Sequence, residues 1–149
     1  MLIFSLILSA LSCLITLTRC QNISYYEQAI QQAIFNSYSS SIRPTDNVQV
    51  SVLLRLSQVI GLNEPTETVT TSSYLFLMWN DPRLSWNSSL YGGITYINLL
   101  TSQLWLPDLY VINTADSKGF ISFENYRAYL ISNGLICMNI GLIGMKMLI

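Results

Sequence analysis

The side chains in this sequence that could do chemistry are mostly aromatic: three tryptophans, nine tyrosines and five phenylalanines, with no histidine. Without an imidazole there is no Ser-His-Asp or Cys-His device for nucleophilic catalysis. A zinc site would have to be assembled from carboxylates and one thiol. Glu64 and Glu67 stand close together, but in the turn-like stretch GLNEPTE, where a solvated loop accounts for them. A perturbed carboxylate needs burial or a like-charge neighbour. The chain therefore reads as a non-enzymatic domain with no catalytic residue, cofactor or metal expected. What its aromatics offer is packing and recognition through ring faces. The most conspicuous group is WNDPRLSW, residues 79–86, with Trp79 and Trp86 flanking an Asp81-Pro82 turn.

The elements that must position these rings belong to one domain of 149 residues. Seven basic and eight acidic side chains give a formal charge of −1. Arg19, Arg43, Arg55, Arg83, Lys118, Arg127 and Lys146 are scattered singly along the chain, which excludes a nucleic-acid backbone as partner. Only 10% of residues are charged, so the chain is apolar for a domain standing alone in water. Residues 1–18 form a continuous apolar run, read as a signal peptide cut after Cys20 in preference to an uncleaved anchor. Sequons at Asn22 and Asn87 fit a luminal route. Removal of 1–20 takes Cys13 and Cys20 with it and leaves Cys137 alone, without an intramolecular disulfide.

After the leader, Ser24-Tyr25-Tyr26-Glu27 has the form of a capping box. Tyr26, Ile30, Ala33 and Ile34 follow at helical spacing and predict an amphipathic helix of about three turns. From Val48 the period becomes two, predicting a half-buried strand with Val50, Val52, Leu54 and Leu56 inward. A turn is expected at Gly61–Pro65 and a second strand at Thr68–Trp79. Shorter strands are predicted at Gly93–Asn98, Leu106–Ile112, Phe120–Phe123 and Tyr129–Ile131. One helix followed by many short strands predicts a mainly β, immunoglobulin-like sandwich. Residues 137–149 are apolar without a clean period and predict one more buried strand with an unpaired end.

The order of motifs resembles the extracellular ligand-binding domain of the Cys-loop, or pentameric ligand-gated, channels, of which nicotinic acetylcholine receptor subunits are the nearest kind. W-x-D-x-x-L-x-W at Trp79, Asp81, Leu84 and Trp86 carries the resemblance, with W-x-P-D at Trp105, Pro107 and Asp108. N-x-A-D follows at Asn113, Ala115 and Asp116. The likeness spans 21–136 and leaves 137–149 as a divergent tail. It implies that the two tryptophans of WNDPRLSW serve packing, while ligand-facing rings lie elsewhere.

In that family, subunits assemble as pentamers and an amine neurotransmitter of the acetylcholine type sits against aromatic faces between two subunits. The resemblance places Tyr74 at the aromatic position of the complementary face, with Tyr129, Cys137 and Asn139 near that face's last loop. On the principal face the family's tyrosine position is occupied here by Ile112, with Tyr110 two residues earlier, so a complementary role is the compatible one. The disulfide-closed loop and four membrane helices of the family do not follow in this sequence, so a channel is not expected from these residues alone. The resemblance thus implies the N-terminal part of a channel subunit on the extracellular side of the plasma membrane. The alternatives are a secreted acetylcholine-binding-protein-like module and a decoy acting in assembly.

Overall fold

The computed structural model describes residues 23–115, 119, 121–123 and 125–148. The leader, the sequon at Asn22, and Asp116 with Lys118 lie outside the described residues. Helix α1 runs over 23–35, so Ser24 stands inside its first turn and not at its cap. Of the expected apolar stripe, Ile30 and Ile34 are buried and Tyr26 partly so, while Ala33 at the stripe's margin is exposed.

Five strands follow among the described residues: β1 (Val50–Asn63), β2 (Thr68–Asn80), β3 (Tyr96–Leu100), β4 (Arg127–Ile131) and β5 (Leu135–Leu148). All neighbours are antiparallel, in the order β1-β2-β5-β4-β3. The class is mainly β with one leading helix, as expected, and the described strands make up a single sheet. Period two governs its inner face. Leu75, Leu77 and Trp79 of β2 meet Ile136, Met138 and Ile140 of β5, and Ile97, Leu99, Ala128 and Leu130 extend the same layer. The two helix isoleucines belong to that cluster, so α1 packs on this face.

Three expectations change. Strand β1 is not half-buried: beyond Val50 every residue is exposed, including Val52, Leu54 and Leu56 at 49–57%. It is the edge of the sheet, and the described core lies under β2, β5, β4 and β3 and stops short of β1; alternation in a sequence shows two faces but not whether something covers each. The hairpin turn also lies later than predicted. β1 continues through Gly61, and the reversal is at 64–67, where the Glu67 N–H donates to Glu64 O at 3.1 Å. Glu64 and Glu67 are exposed there, as a solvated loop requires.

The third change concerns the segments outside the regular sheet. Leu106–Ile112 and Phe120–Phe123 form no strand among the described residues. Among the described residues Val111 N–H donates to Gly119 O (2.8 Å) and Ile121 N–H to Leu109 O (3.1 Å). The tail from 137 forms a strand as expected, but its end is not unpaired: β5 runs the whole length of β2, from Asn80↔Leu135 to Thr68↔Leu148. One irregularity between Tyr74 and Leu75 absorbs an extra residue of β5. The pairing succeeds because an apolar strand satisfies the open edge of β2 while burying Ile136, Met138, Ile140 and Met145.

Candidate ligand-facing surface

The tryptophan-rich stretch is a packing device. Trp79 is 1% exposed and meets Trp105 edge-on at 6.5 Å, and Leu84 is fully buried. Asp81 is fully buried and charged, so its partners decide whether the turn is stable. Arg83 donates to it twice, Nε to Oδ1 at 2.9 Å and Nη2 to Oδ2 at 2.7 Å, and the Arg83 backbone N–H adds a third bond at 3.2 Å. From just beyond α1, the Tyr38 hydroxyl donates to Oδ2 at 3.1 Å while accepting the Trp105 N–H at 2.8 Å. The guanidinium carbon of Arg83 also lies 4.6 Å from the Tyr38 ring centroid.

This network joins the end of the helical segment, the Asp81-Pro82 turn and the W-x-P-D loop. Hydrogen bonding to Asp81 raises the Arg83 guanidinium further above its ordinary value. Burial raises the Tyr38 phenol, and the Asp81 charge adds to that. Replacing Tyr38 by phenylalanine removes two bonds and leaves the Trp105 amide without its acceptor. It is expected to lower stability by about 1–2 kcal/mol, read as a shifted urea midpoint at constant slope.

Around this knot, Pro107 is buried and Asp108 exposed, while Trp86 is partly buried and its indole N–H donates to Ile94 O at 2.9 Å. Asn87 is exposed, its Oδ1 accepting from the Ser89 N–H at 3.1 Å. None of these rings is offered to a ligand.

The opposite face of the sheet is where the remaining candidates converge. Tyr74 faces outward on β2, followed at period two by Phe76 and the 45%-exposed Met78. Register then carries the same face across the strands: Met78 opposes Cys137, and Cys137 opposes Tyr129, while Phe76 opposes Asn139. Tyr129, Cys137 and Asn139 line a shallow cavity of about 460 Å³ together with Leu53, Phe76 and Met78. Tyr74 lies just outside it, one outward position along β2 from Phe76. Partial burial raises the Cys137 thiol above its usual value.

Tyr96 of β3 leans on Tyr129 with ring centroids 6.4 Å apart, and both are about half exposed. Phe76, Met78 and Tyr96 share this outward face, and reading the motifs did not single them out. Counting by twos from Tyr74 would have found the first two, but Tyr96 depends on the β3–β4 register.

The other pair of candidates is not brought to this face's cavity. Tyr110 is 68% exposed and Ile112 99% exposed. Their segment docks on the far end of β5, with Ala115 N–H to Lys146 O at 2.8 Å and Leu148 N–H to Asn113 O at 2.9 Å. Ile112 also sits in a turn, so Tyr110 is not its same-side neighbour on a strand, contrary to the extended geometry expected from sequence.

Among the described residues no cluster of metal-binding side chains occurs, and no helix is long and apolar enough to cross a membrane.

Comparison with known proteins adds a second line. Residues 27–146 match the family described as neurotransmitter-gated ion-channel ligand binding domain. The chain is 39% identical over 102 residues to the acetylcholine receptor subunit beta of Rattus norvegicus, covering 66% of this chain and 20% of that one. It is 41% identical over 86 residues to the acetylcholine receptor subunit beta of Gallus gallus, covering 55% and 73%. With the acetylcholine receptor subunit epsilon of Xenopus laevis it shares 35% over 111 residues, covering 72% and 22%. The chain thus spans about a fifth of the length of most of these relatives.

Proposed function

Because this chain belongs to the neurotransmitter-gated ion-channel ligand-binding domain family, whose members are channel subunits and not enzymes, we propose that it supplies one side of an agonist site formed between subunits. The observation that carries this is the shared face. Tyr74, Tyr129, Cys137 and Asn139 are far apart in sequence, yet point to the same exposed side of the sheet. A protonated or quaternary amine is attracted to ring faces by about 0.5–2 kcal/mol each, depending on how dry the site becomes. Tyr74, Phe76 and Tyr129 provide such rings on one wall, and a neighbouring subunit must close the other. Ile112 has no ring to offer, so this chain acts as the complementary partner beside a different subunit bearing the principal face. The assembly is a pentamer at the cell surface, with this domain on the extracellular side and a glycan on exposed Asn87.

The test is saturable binding of radiolabelled acetylcholine to cells co-expressing the full chain with a full-length acetylcholine receptor subunit. Binding is expected to exceed that of either chain alone, and Tyr74→Ala is expected to weaken it about 3- to 30-fold, the loss of one ring. Saturable binding that ignores Tyr74→Ala would remove this residue from the site, and no binding above the single chains would remove the function.

A further inference from the structure

The charges on the sheet have one sign. The five strands contain no aspartate and no glutamate, although the whole chain carries eight acidic residues and a net charge of −1. Their three charged residues are Arg55, Arg127 and Lys146, all exposed. Register puts all three on the outward face: Arg55 opposes Tyr74, Arg127 opposes Leu100, and Lys146 opposes Thr70. None of them makes an ion pair among the described residues, where the only one is Arg83–Asp81. The two arginines flank the cavity, Arg55 beyond Tyr74 and Arg127 next along β4 from the outward-facing Tyr129.

Between the cations the face is apolar and wet. Leu53, Met78, Tyr96, Leu100 and Tyr129 are each 45–61% exposed. An outward apolar patch with a polar margin marks an interaction surface. Charge complementarity selects what lies against such a patch and steers its approach. Guanidinium groups pair with carboxylates through two parallel hydrogen bonds.

We propose that this face docks a protein partner whose contacting surface carries carboxylates around an apolar centre. The proposal rests on the reading of this face as a subunit interface and adds the chemistry of the neighbour. Its apolar middle accounts for shape and burial, and its cations reject a basic neighbour. The pairing is partly screened at physiological salt, where the Debye length is about 8 Å, so association should weaken as salt rises.

The experiment measures retention of the purified full chain on immobilised polymers of defined charge: a glutamate–tyrosine copolymer, poly-L-glutamate, poly-L-lysine and heparin. Despite its net negative charge the chain is expected to bind the glutamate–tyrosine copolymer best and poly-L-lysine least, with retention falling as NaCl rises. The double change Arg55→Gln with Arg127→Gln should lower copolymer affinity at least tenfold. Arg55→Lys with Arg127→Lys should restore most of it, which shows that the fold survives. Arg43→Gln, a charge loss on an exposed residue off the sheet, should change it less than twofold.

Equal losses for Arg43→Gln and the double change would overturn the proposal. So would heparin outbinding the copolymer, which points to a polyanion in place of a protein. Concentration-dependent self-association abolished by the double change would overturn it in favour of a second copy. Agonist binding that fails while copolymer binding behaves as expected would reject the acetylcholine site and leave this surface standing.

Discussion

Replacing Asp81 by alanine is expected to cost about 3–5 kcal/mol of folding free energy, enough to bring a domain of ordinary stability close to unfolding. The carboxylate is fully buried and accepts from the Arg83 side chain, the Arg83 backbone and the Tyr38 hydroxyl. Removing it strands a guanidinium whose side chain is only 29% exposed and a phenol that is already half-buried. It also removes the side chain that caps the 3-10 turn at Pro82–Leu84. Asparagine keeps the shape and one acceptor, so Asp81→Asn should cost less than the alanine change. Urea denaturation of both variants, with the midpoint shifted and the slope unchanged, is the measurement. A cost below about 1 kcal/mol for Asp81→Ala would show that the buried pair is near break-even, as some buried ion pairs are.

The second large effect is expected at Gly134. Its φ of +88° lies where residues with a side chain are strained, and a methyl group there would come within 2.5 Å of the Asp81 carbonyl oxygen. That oxygen belongs to the same residue whose N–H donates to Gly134 O at 2.9 Å, so neither backbone can yield without breaking the bond between them. Gly134→Ala should therefore cost about 2–3 kcal/mol, strain and displacement together. Gly93 separates the two contributions: its φ is +82°, but nothing lies within 4 Å of a methyl group there. Gly93→Ala should show the strain alone, about 1–2 kcal/mol. Equal melting losses for the two glycines would mean that the contact with Asp81 contributes nothing.

Asp81 falls in a segment that the sequence marked as structurally important, but for reasons it could not display. The W-x-D-x-x-L-x-W pattern identified the turn, and nothing local revealed that Tyr38, more than forty residues earlier, completes it. Helix α1 and strand β2 were legible because their burial repeats at 3.6 and 2 and each has one covered face. β1 has the same alternation and no cover, because edge position is a property of the assembled sheet. The stretch Leu106–Ile112 is rich in residues that favour strands, but Pro107 has no N–H to give a ladder. Of the candidate surface, the outward parity of Tyr74, Phe76 and Met78 could be counted. The arrival of Tyr129, Cys137 and Asn139 beside them is a matter of register between β2, β5 and β4, which is fixed by long-range pairing.

The central place of β5 in the sheet also governs when the domain can fold. β1 and β2 are joined by a tight reversal at 64–67 and can pair within microseconds. β3 and β4 must first close a loop that includes the 101–103 turn and the W-x-P-D segment. Neither two-stranded ribbon is stable by itself, and only β5 joins them. The search for that middle strand, which meets β2 across a long stretch of intervening chain from Asn80↔Leu135 to Thr68↔Leu148, should set the folding rate. Until it is found, β2 keeps an open edge beside an apolar β1, and this waiting ribbon is the species most exposed to misassociation and to capture by chaperones.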